Sequence, residues 1–159
     1  MDLKTIQQLQ SEVKTLLELM GTPFVEPLVE VGEGDVVKVE LKRKEEEDNN
    51  LGILIGNHGE TLRALEYTIA LIVNKDKEKW YRVEVDLDGY RKHREEELKG
   101  LARRMAEKAT FLRETVELRP MAPADRRIIH MALADDASVE TESAGNGRGR
   151  HVVIKPVAE

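Results

Sequence analysis

Four consecutive residues, Gly56, Asn57, His58 and Gly59, restrict the fold of this 159-residue chain more than any other feature. They interrupt a run of Leu and Ile residues, and a helical pattern of apolar residues starts directly behind them. Two glycines three positions apart predict a sharp turn whose backbone angles glycine adopts without strain. The same geometry would let a phosphodiester approach the N–H groups that open the helix. By itself, a Gly-x-x-Gly sequence is more often an ordinary turn.

The residues around this turn predict the order helix, strand, strand, short helix, helix, strand. Apolar residues from 3 to 20 recur with the period of a helix, and Gly21 with Pro23 would end it. The runs "FVEPLVEV" and "VVKVELK" flank "GEGD" and predict a hairpin with one solvent-facing side. The charged run "KRKEEEDNN" predicts a solvated loop. A helix from Glu60 and a strand in "WYRVEVDLD" complete this half.

The composition and the N-terminal sequence limit the cellular locations expected for this chain. The chain has no cysteine, which excludes disulfides and thiolate metal sites and favours a reducing compartment. Its N-terminus lacks the basic flank and apolar core of a signal peptide, and the stretch "YTIALIV" is too short to span a bilayer. We therefore expect a cytoplasmic protein that does not insert into a membrane and needs no cofactor.

The charge distribution predicts two domains. Residues 1–88 carry 11 Lys and Arg against 19 Asp and Glu, whereas residues 89–159 carry 14 against 12. The formal net charge of -6 argues against a protein that binds polyanions by bulk attraction. We predict an α+β chain with one small domain in residues 1–88 and a second in residues 89–159.

The second half predicts a unit of two helices and three strands. The segments "GYRKHREEELKGLARRMAEKA" and "MAPADRRIIHMALAD" have helical periodicity, and Pro123 suits the first turn of the second one. Tyr90, Leu98 and Leu101 belong to the apolar residues placed on one face of the first helix. The pieces "TVEL", "SVETES" and "RHVVIKP" predict strands.

Within the second helix, Arg126 and His130 are four residues apart and therefore project from one face. Such a spacing most often reflects a surface Arg above a half-buried His. The glycine-rich loop "GNGRGRH" adds Arg148, Arg150 and His151, and a basic loop beside the pair would form an anion site. Guanidinium groups would bind phosphate, and an imidazole would offer a hydrogen bond or a surface for base stacking.

The first half resembles a type II KH domain, on the sequence "ILIGNHGETL" in the order of elements given above. In that family the Gly-x-x-Gly loop clamps the backbone of about four single-stranded nucleotides. The resemblance implies that Gly56, Asn57, His58 and Gly59 contact nucleic acid. KH loops that grip nucleic acid usually carry Lys or Arg at the variable positions, which this loop lacks.

The helix behind the loop adds two charges of opposite effect. Glu60 would repel a phosphate docked at the helix start, and Arg63, one turn further on, could offset it. The bases would lie in an apolar groove for which the candidates are the second strand, Ile53, Ile55 and Leu62.

The segment "PMAPADRRIIHMALADDASVETES" resembles the single-stranded nucleic-acid-binding domain named for its Arg-x-x-x-His motif, the R-three-H domain. A KH domain followed by that domain is similar to the Jag, or SpoIIIJ-associated, family of bacteria. The resemblance extends from about residue 1 to residue 156. Members commonly begin with a further small N-terminal domain and a linker, whereas this chain starts at the KH helix.

The resemblance implies a bacterial protein that binds single-stranded RNA, with single-stranded DNA as a further candidate. That family is linked to the control of cell elongation, division or sporulation, and its members can partner a small separate KH protein. The implied binding residues of the second domain are Arg126 and His130. If about four phosphates are neutralised by Arg126, Arg148, Arg150 and one residue around Arg91 to Arg94, the salt slope would be roughly -3.

Two other classes of function stay open. The first is a protein-interaction or self-association module, because the KH half is acidic and its loop has no basic residue. The second is an enzyme, for example a phosphodiesterase that uses His130 with a carboxylate. The four histidines show no metal-ligand spacing, and Asp125 suits an ion pair or a helix start better than a base. We therefore expect no catalysis.

Overall fold

The computed structural model describes residues 1–43, 51–75 and 77–157. Its contacts divide the chain into two compact units, Met1–Tyr90 and Arg91–Glu159, which we call the N-terminal and C-terminal units. Within the described residues each unit combines helices with a three-stranded sheet, which confirms the predicted α+β class. The first two residues of the charged run continue a strand, and the rest of that predicted loop lies outside the described residues.

The N-terminal unit follows the predicted order of elements. These are α1 (Leu3–Leu19), β1 (Val25–Val31), β2 (Val36–Arg43), α2 (Gly52–Ile55), α3 (Glu60–Asn74) and β3 (Arg82–Leu87). The sheet has the order β1-β2-β3, with β1 antiparallel and β3 parallel to β2. A parallel neighbour requires a crossover, and α2 and α3 supply it.

Alternation along β2 decides which face of this sheet is covered. Val37, Val39 and Leu41 are buried, whereas the residues between them are exposed. The helices cover the buried face with side chains at helical spacing, which are Leu9, Val13 and Leu17 from α1 and Leu62, Leu65, Ile69 and Val73 from α3. Burying each such side chain contributes about 1.5–3 kcal/mol, so this packing dominates the stability of the unit.

Polar side chains fix the connection from α3 to β3. The side-chain amide of Asn74 donates to the carbonyl oxygens of Ala70 and Tyr81, and its Oδ1 accepts from Tyr81 N–H at 2.6 Å. Glu66 Oε2 accepts a hydrogen bond from the N–H of Val85 at 3.0 Å. The helix is thereby tied to the outer strand of the sheet at two points.

The C-terminal unit is built from two helices and three strands, as predicted. The elements are α4 (Tyr90–Leu112), β4 (Val116–Glu117), α5 (Pro123–Ala132), β5 (Val139–Ala144) and β6 (His151–Pro156). Its antiparallel sheet has the order β4-β6-β5. Pro123 occupies the first turn of α5, where its missing N–H costs no hydrogen bond.

Small side chains on α4 form one wall of the C-terminal core. Ala102, Ala106 and Ala109 are buried together with Leu98. They pack in one cluster with residues of α5 and the sheet, of which the fully buried ones are Ile129, Val152 and Ile154. Tyr90, which we placed on the same face of this helix, packs against the core of the N-terminal unit instead. Tyr90 is the last residue of the N-terminal unit.

An ion pair with little exposure joins α4 to α5. Arg94 Nη2 and Nε donate to Asp125 Oδ2 at 3.0 Å and 3.3 Å. The two side chains are only 15% and 7% exposed. Asp125 therefore has the structural role expected of it, since losing one partner would leave an uncompensated charge in the interior.

No helix in the described part of the chain is both long and apolar enough to cross a membrane.

Candidate nucleic-acid interface

The first candidate site is the Gly-x-x-Gly turn between α2 and α3. Gly56 has φ 67° and ψ -164°, a region that is essentially restricted to glycine. A Cβ atom at this position would clash with Thr61 Oγ1 and would lie 2.9 Å from Thr61 N. Gly56 is therefore required both by its backbone angles and by the close approach of α3.

Gly59 is required for a related reason. Its φ of 84° is left-handed, and a Cβ atom there would lie 3.0 Å from Cε1 of Tyr90. Asn57 and His58, between the glycines, are exposed within a single turn of 3-10 helix. His58 itself is left-handed, with φ 51° and ψ 37°, an uncommon conformation for a residue with a side chain. The turn thus presents two polar side chains outward between a half-buried Gly56 and a buried Gly59.

The start of α3 places the flanking charges as predicted from the sequence. Glu60 is exposed in the first turn, and Arg63 is half-buried one turn later. Of the three proposed groove side chains, Ile53 is 49% exposed and Ile55 is half-buried. Leu62 is only 3% exposed and belongs to the core, so its assignment to the groove was wrong.

The second candidate site is a hydrogen-bonded cluster between α5 and β5. Arg126 and His130 project from α5 over the strand, as their spacing requires. Arg126 Nη1 donates to Ser143 Oγ at 2.9 Å. The two ring nitrogens of His130 lie 2.8 Å from Thr141 Oγ1 (Nδ1) and 2.9 Å from Ser143 Oγ (Nε2). We call these four residues the α5–β5 cluster.

The guanidinium of Arg126 keeps hydrogen-bonding capacity. Its Nε is buried and has no hydrogen-bond partner in the described part of the chain. Because a guanidinium carries five donors in a planar fork, one bond to Ser143 leaves several available. A buried donor without a partner costs about 1–3 kcal/mol, which a suitably placed acceptor would recover.

The same surroundings favour the neutral form of His130. Partial burial lowers the pKa of its imidazole below the ordinary value of 6.5, and the positive charge of Arg126 lowers this pKa further. A neutral imidazole donates through one nitrogen and accepts through the other, so one of the two hydroxyl groups accepts a hydrogen bond from the ring and the other donates one to it.

A basic loop continues directly from the α5–β5 cluster. The loop begins at Gly145, two residues after Ser143, and joins β5 to β6. Two backbone hydrogen bonds close it, from Gly149 N–H to Asn146 O and from Arg150 N–H to Gly147 O. Arg148 and Arg150 are exposed on this loop. The hairpin therefore brings two guanidinium groups to the end of the strand that carries Ser143.

Two basic residues that the sequence analysis named as candidates for binding an anion make other contacts in the structure. His151 Nδ1 lies 3.0 Å from Gly149 O, and its Nε2 lies 3.6 Å from Glu117 Oε2. Arg94, in the group expected to neutralise a fourth phosphate, is bound to Asp125 instead. Arg94 therefore does not supply the expected fourth contact, because the buried carboxylate of Asp125 already pairs with it. For the other residues around Arg91 that contact stays a prediction.

Thr141 and Ser143 are the site residues that the sequence analysis missed. They lie two apart on β5 and so point to the same face of the sheet, towards the helices. The alternation of "VETES" could have revealed them, since two hydroxyl residues share one face there. Among the described residues, no group of three or more His, Asp or Glu side chains could hold a metal ion.

Comparison with known proteins matches two parts of the chain to two domain families. Residues 10–85 match the KhpA/KhpB KH domain family, and residues 96–156 match the R-three-H domain family. The chain is 42% identical over 124 residues to the RNA-binding protein KhpB of Clostridium symbiosum, which covers 74% of this chain and 56% of that protein. It is 32% identical over 154 residues to KhpB of Bacillus subtilis strain 168, covering 94% of this chain and 69% of the relative. The chain thus spans little more than half the length of the first relative.

Replacing Gly56 should destabilise the N-terminal unit. We expect Gly56→Ala to lower its free energy of unfolding by about 2 kcal/mol or more, because it combines a glycine-only backbone conformation with a steric clash. Urea unfolding followed by the fluorescence of Trp80, the single tryptophan of the chain, measures this unit. Gly52→Ala is the matched control, since a Cβ there meets nothing within 4 Å. Equal stability of the two variants would contradict the steric role of Gly56.

The stability of the C-terminal unit should depend on pH through His130. Its pKa is lower in the folded chain than the ordinary 6.5, so the unfolded chain binds the proton more readily. Stability is therefore complete above pH 6.5 and falls as the pH drops from there to the folded pKa. Urea unfolding monitored by far-UV circular dichroism on both sides of this range should show the loss, and His130→Gln should show less of it. An identical pH dependence in the two proteins would disprove this effect.

Proposed function

We propose that this chain, which belongs to the KhpB family of proteins with KH and R-three-H domains, binds single-stranded RNA. The observation that carries the proposal is the α5–β5 cluster. There a half-buried guanidinium, whose Nε has no hydrogen-bond partner among the described residues, lies on the same helix face as the imidazole of His130, and a loop with two exposed arginines follows. This combination offers charge-assisted hydrogen bonds to phosphate.

The Gly-x-x-Gly turn would supply the second contact. Its glycines give the backbone a surface without side chains, and Asn57 and His58 add exposed polar groups. The N-terminal unit is acidic, and Glu60 opposes a phosphate at the start of α3. We therefore infer that the turn contributes hydrogen bonds, while the C-terminal unit supplies most of the electrostatic attraction.

Binding without catalysis is part of the proposal. Both ring nitrogens of His130 lie within hydrogen-bonding distance of hydroxyl groups, and the nearby carboxylate of Asp125 is paired with Arg94. These two residues therefore do not form a base–carboxylate pair that a substrate could use. A regulator that acts on RNA in the bacterial cytoplasm, affecting cell elongation, division or sporulation, is the cellular role that we propose from the family resemblance.

Binding to short labelled single-stranded RNA and DNA should be measured by fluorescence anisotropy across a salt series. With Arg126, Arg148 and Arg150 as the phosphate contacts, we expect a slope of log K against log salt of about -2. Arg148→Ala/Arg150→Ala should weaken binding and flatten the slope to about -0.7. Asn57→Asp/His58→Asp should also weaken binding, through repulsion at the turn.

The control for these variants is Arg103→Ala/Lys108→Ala, which removes two charges from exposed positions of α4. It should leave the affinity close to that of the unmodified chain. An equal loss of affinity in the control would mean that only the net charge of the chain matters for binding. Absence of binding by the unmodified chain at low salt would disprove the proposed function. The RNA recovered after long incubation should keep its length, whereas shortened RNA would show that the protein is an enzyme.

A second candidate function is protein association through α3. Tyr67 and Leu71 lie one turn apart on this helix and are 67% and 51% exposed. Large apolar side chains at i and i+4 on an open helix face are typical of a helix-mediated interface. A second copy of the chain or a small separate KH protein are the partners that we propose for this face.

Self-association would be visible in sedimentation velocity over a range of protein concentrations. We expect Tyr67→Ser/Leu71→Ser to abolish any concentration-dependent increase in the sedimentation coefficient, because the apolar contact is lost. Leu3→Ser/Leu19→Ser, which changes two leucines of α1 that are 77% and 83% exposed, is the matched control. If the unmodified chain stays monomeric and does not bind a small KH protein in the same assay, this second function is wrong.

A further inference from the structure

The hydrogen bonds of Ser143 restrict how its hydroxyl group can be used. Arg126 Nη1 can only donate, so Ser143 Oγ accepts from it. The same oxygen lies 2.9 Å from His130 Nε2. A serine hydroxyl has one proton and two lone pairs, and one lone pair is already engaged by Arg126. The direction of the bond to His130 therefore decides whether the proton of Ser143 is committed or free.

The two tautomers of His130 differ in whether the hydroxyl proton of Ser143 is committed or free. With the proton on Nδ1, that nitrogen donates to Thr141 Oγ1, and Nε2 must accept the proton of Ser143. With the proton on Nε2, the ring donates to Ser143 Oγ, and Thr141 donates to Nδ1. Only in this second arrangement does Ser143 accept two bonds and keep its own proton for another acceptor.

We propose that Ser143 is a direct RNA-binding residue that donates its hydroxyl proton to a phosphodiester oxygen, and that the bound strand selects the Nε2–H tautomer of His130. The inference rests on the proposed function. A phosphodiester oxygen can only accept hydrogen bonds, so it favours the arrangement in which Ser143 donates outward. Ser143 is half-buried rather than enclosed, and the basic loop starts two residues later.

A phosphate oxygen is favoured over a base as the acceptor for Ser143 because the neighbouring side chains are positively charged. The guanidinium of Arg126 already touches the oxygen of Ser143, and Arg148 and Arg150 are exposed on the following loop. An anionic oxygen at Ser143 would therefore meet both a neutral donor and a cation. In this arrangement His130 is a positioning residue, since it directs the proton of Ser143 without itself contacting the strand.

The first test compares affinities for the same single-stranded RNA. We expect Ser143→Ala to weaken binding about tenfold or more, the usual loss for a hydrogen bond to a charged group. Ser143→Thr keeps the hydroxyl and should restore most of the affinity. Ser138→Ala removes a hydroxyl that bonds Asp136 Oδ1 in the same unit and should bind like the unmodified chain.

The second test reads the tautomer of His130 directly. Nitrogen-15 chemical shifts of the imidazole distinguish protonation at Nδ1 from protonation at Nε2, and they should be recorded with and without RNA. We expect Nε2 to carry a proton in the complex. If Ser143 had only a structural role, RNA would not select this tautomer, and an Nδ1–H imidazole in the complex would show that.

A third comparison identifies the acceptor. Affinities should be measured for a set of RNA strands, each of which carries one uncharged methylphosphonate linkage at a different position. We expect one position at which the modified linkage weakens binding of the unmodified chain but weakens binding of Ser143→Ala much less. If no linkage behaves in this way, the acceptor is not a phosphodiester and the inference is wrong. Undiminished affinity of Ser143→Ala, or an Nδ1–H tautomer in the complex, would also overturn it while leaving the proposed function intact. Failure of the unmodified chain to bind RNA would overturn both.

Discussion

The N-terminal unit depends on the backbone conformation of Gly56. This residue turns the chain between α2, whose Leu54 is fully buried, and α3, whose apolar face covers the sheet. Thr61 packs so closely on the turn that no side chain fits at position 56. The crossover that makes β3 parallel to β2 passes through this one residue, so the sheet order and the exposed turn have a common origin. The strain-free conformation of glycine is what makes that turn possible.

Polar contacts in the C-terminal unit join its two helices to each other and one of them to the sheet. The ion pair of Arg94 and Asp125 joins α4 to α5 beside the first turn of α5, and the α5–β5 cluster holds the same helix against the sheet. Since Arg126 follows Asp125 directly, the ion pair fixes the helix turn from which the guanidinium projects. A structural interaction and a proposed binding site are therefore neighbours on one helix, and a substitution in one is expected to affect the other.

The two proposed contacts with RNA differ in physical character. The turn at Gly56 to Gly59 lies in an acidic unit and has no basic side chain of its own. The α5–β5 cluster and its loop carry three arginines but no Phe, Tyr or Trp side chain. Base stacking is worth about 1–3 kcal/mol per base where an aromatic ring is available, so it contributes little at this second site. We therefore propose that affinity at this second site comes mainly from phosphate contacts.

Much of this architecture followed from the sequence because periodicity is a local property. The apolar spacing of α3, the alternation of β2 and the position of Pro123 each depend on neighbouring residues alone, and so does the shared face of Arg126 and His130. The glycine pair likewise predicted a sharp turn from four neighbouring residues. What the sequence could not reveal were pairings between residues far apart in the chain.

Tertiary structure alone decided those pairings. Arg94 meets Asp125 across 31 positions, and Ser143 meets His130 across 13. Leu62 follows the turn closely enough to suggest a groove, yet the packing of α3 buries it. Tyr90 lies in the sequence of α4, yet it packs against the core of the N-terminal unit. The sequence by itself determined which residue types stand at the two sites. Packing decided which of their donors, acceptors and charges remain available, because availability depends on the groups that each side chain contacts in the folded chain.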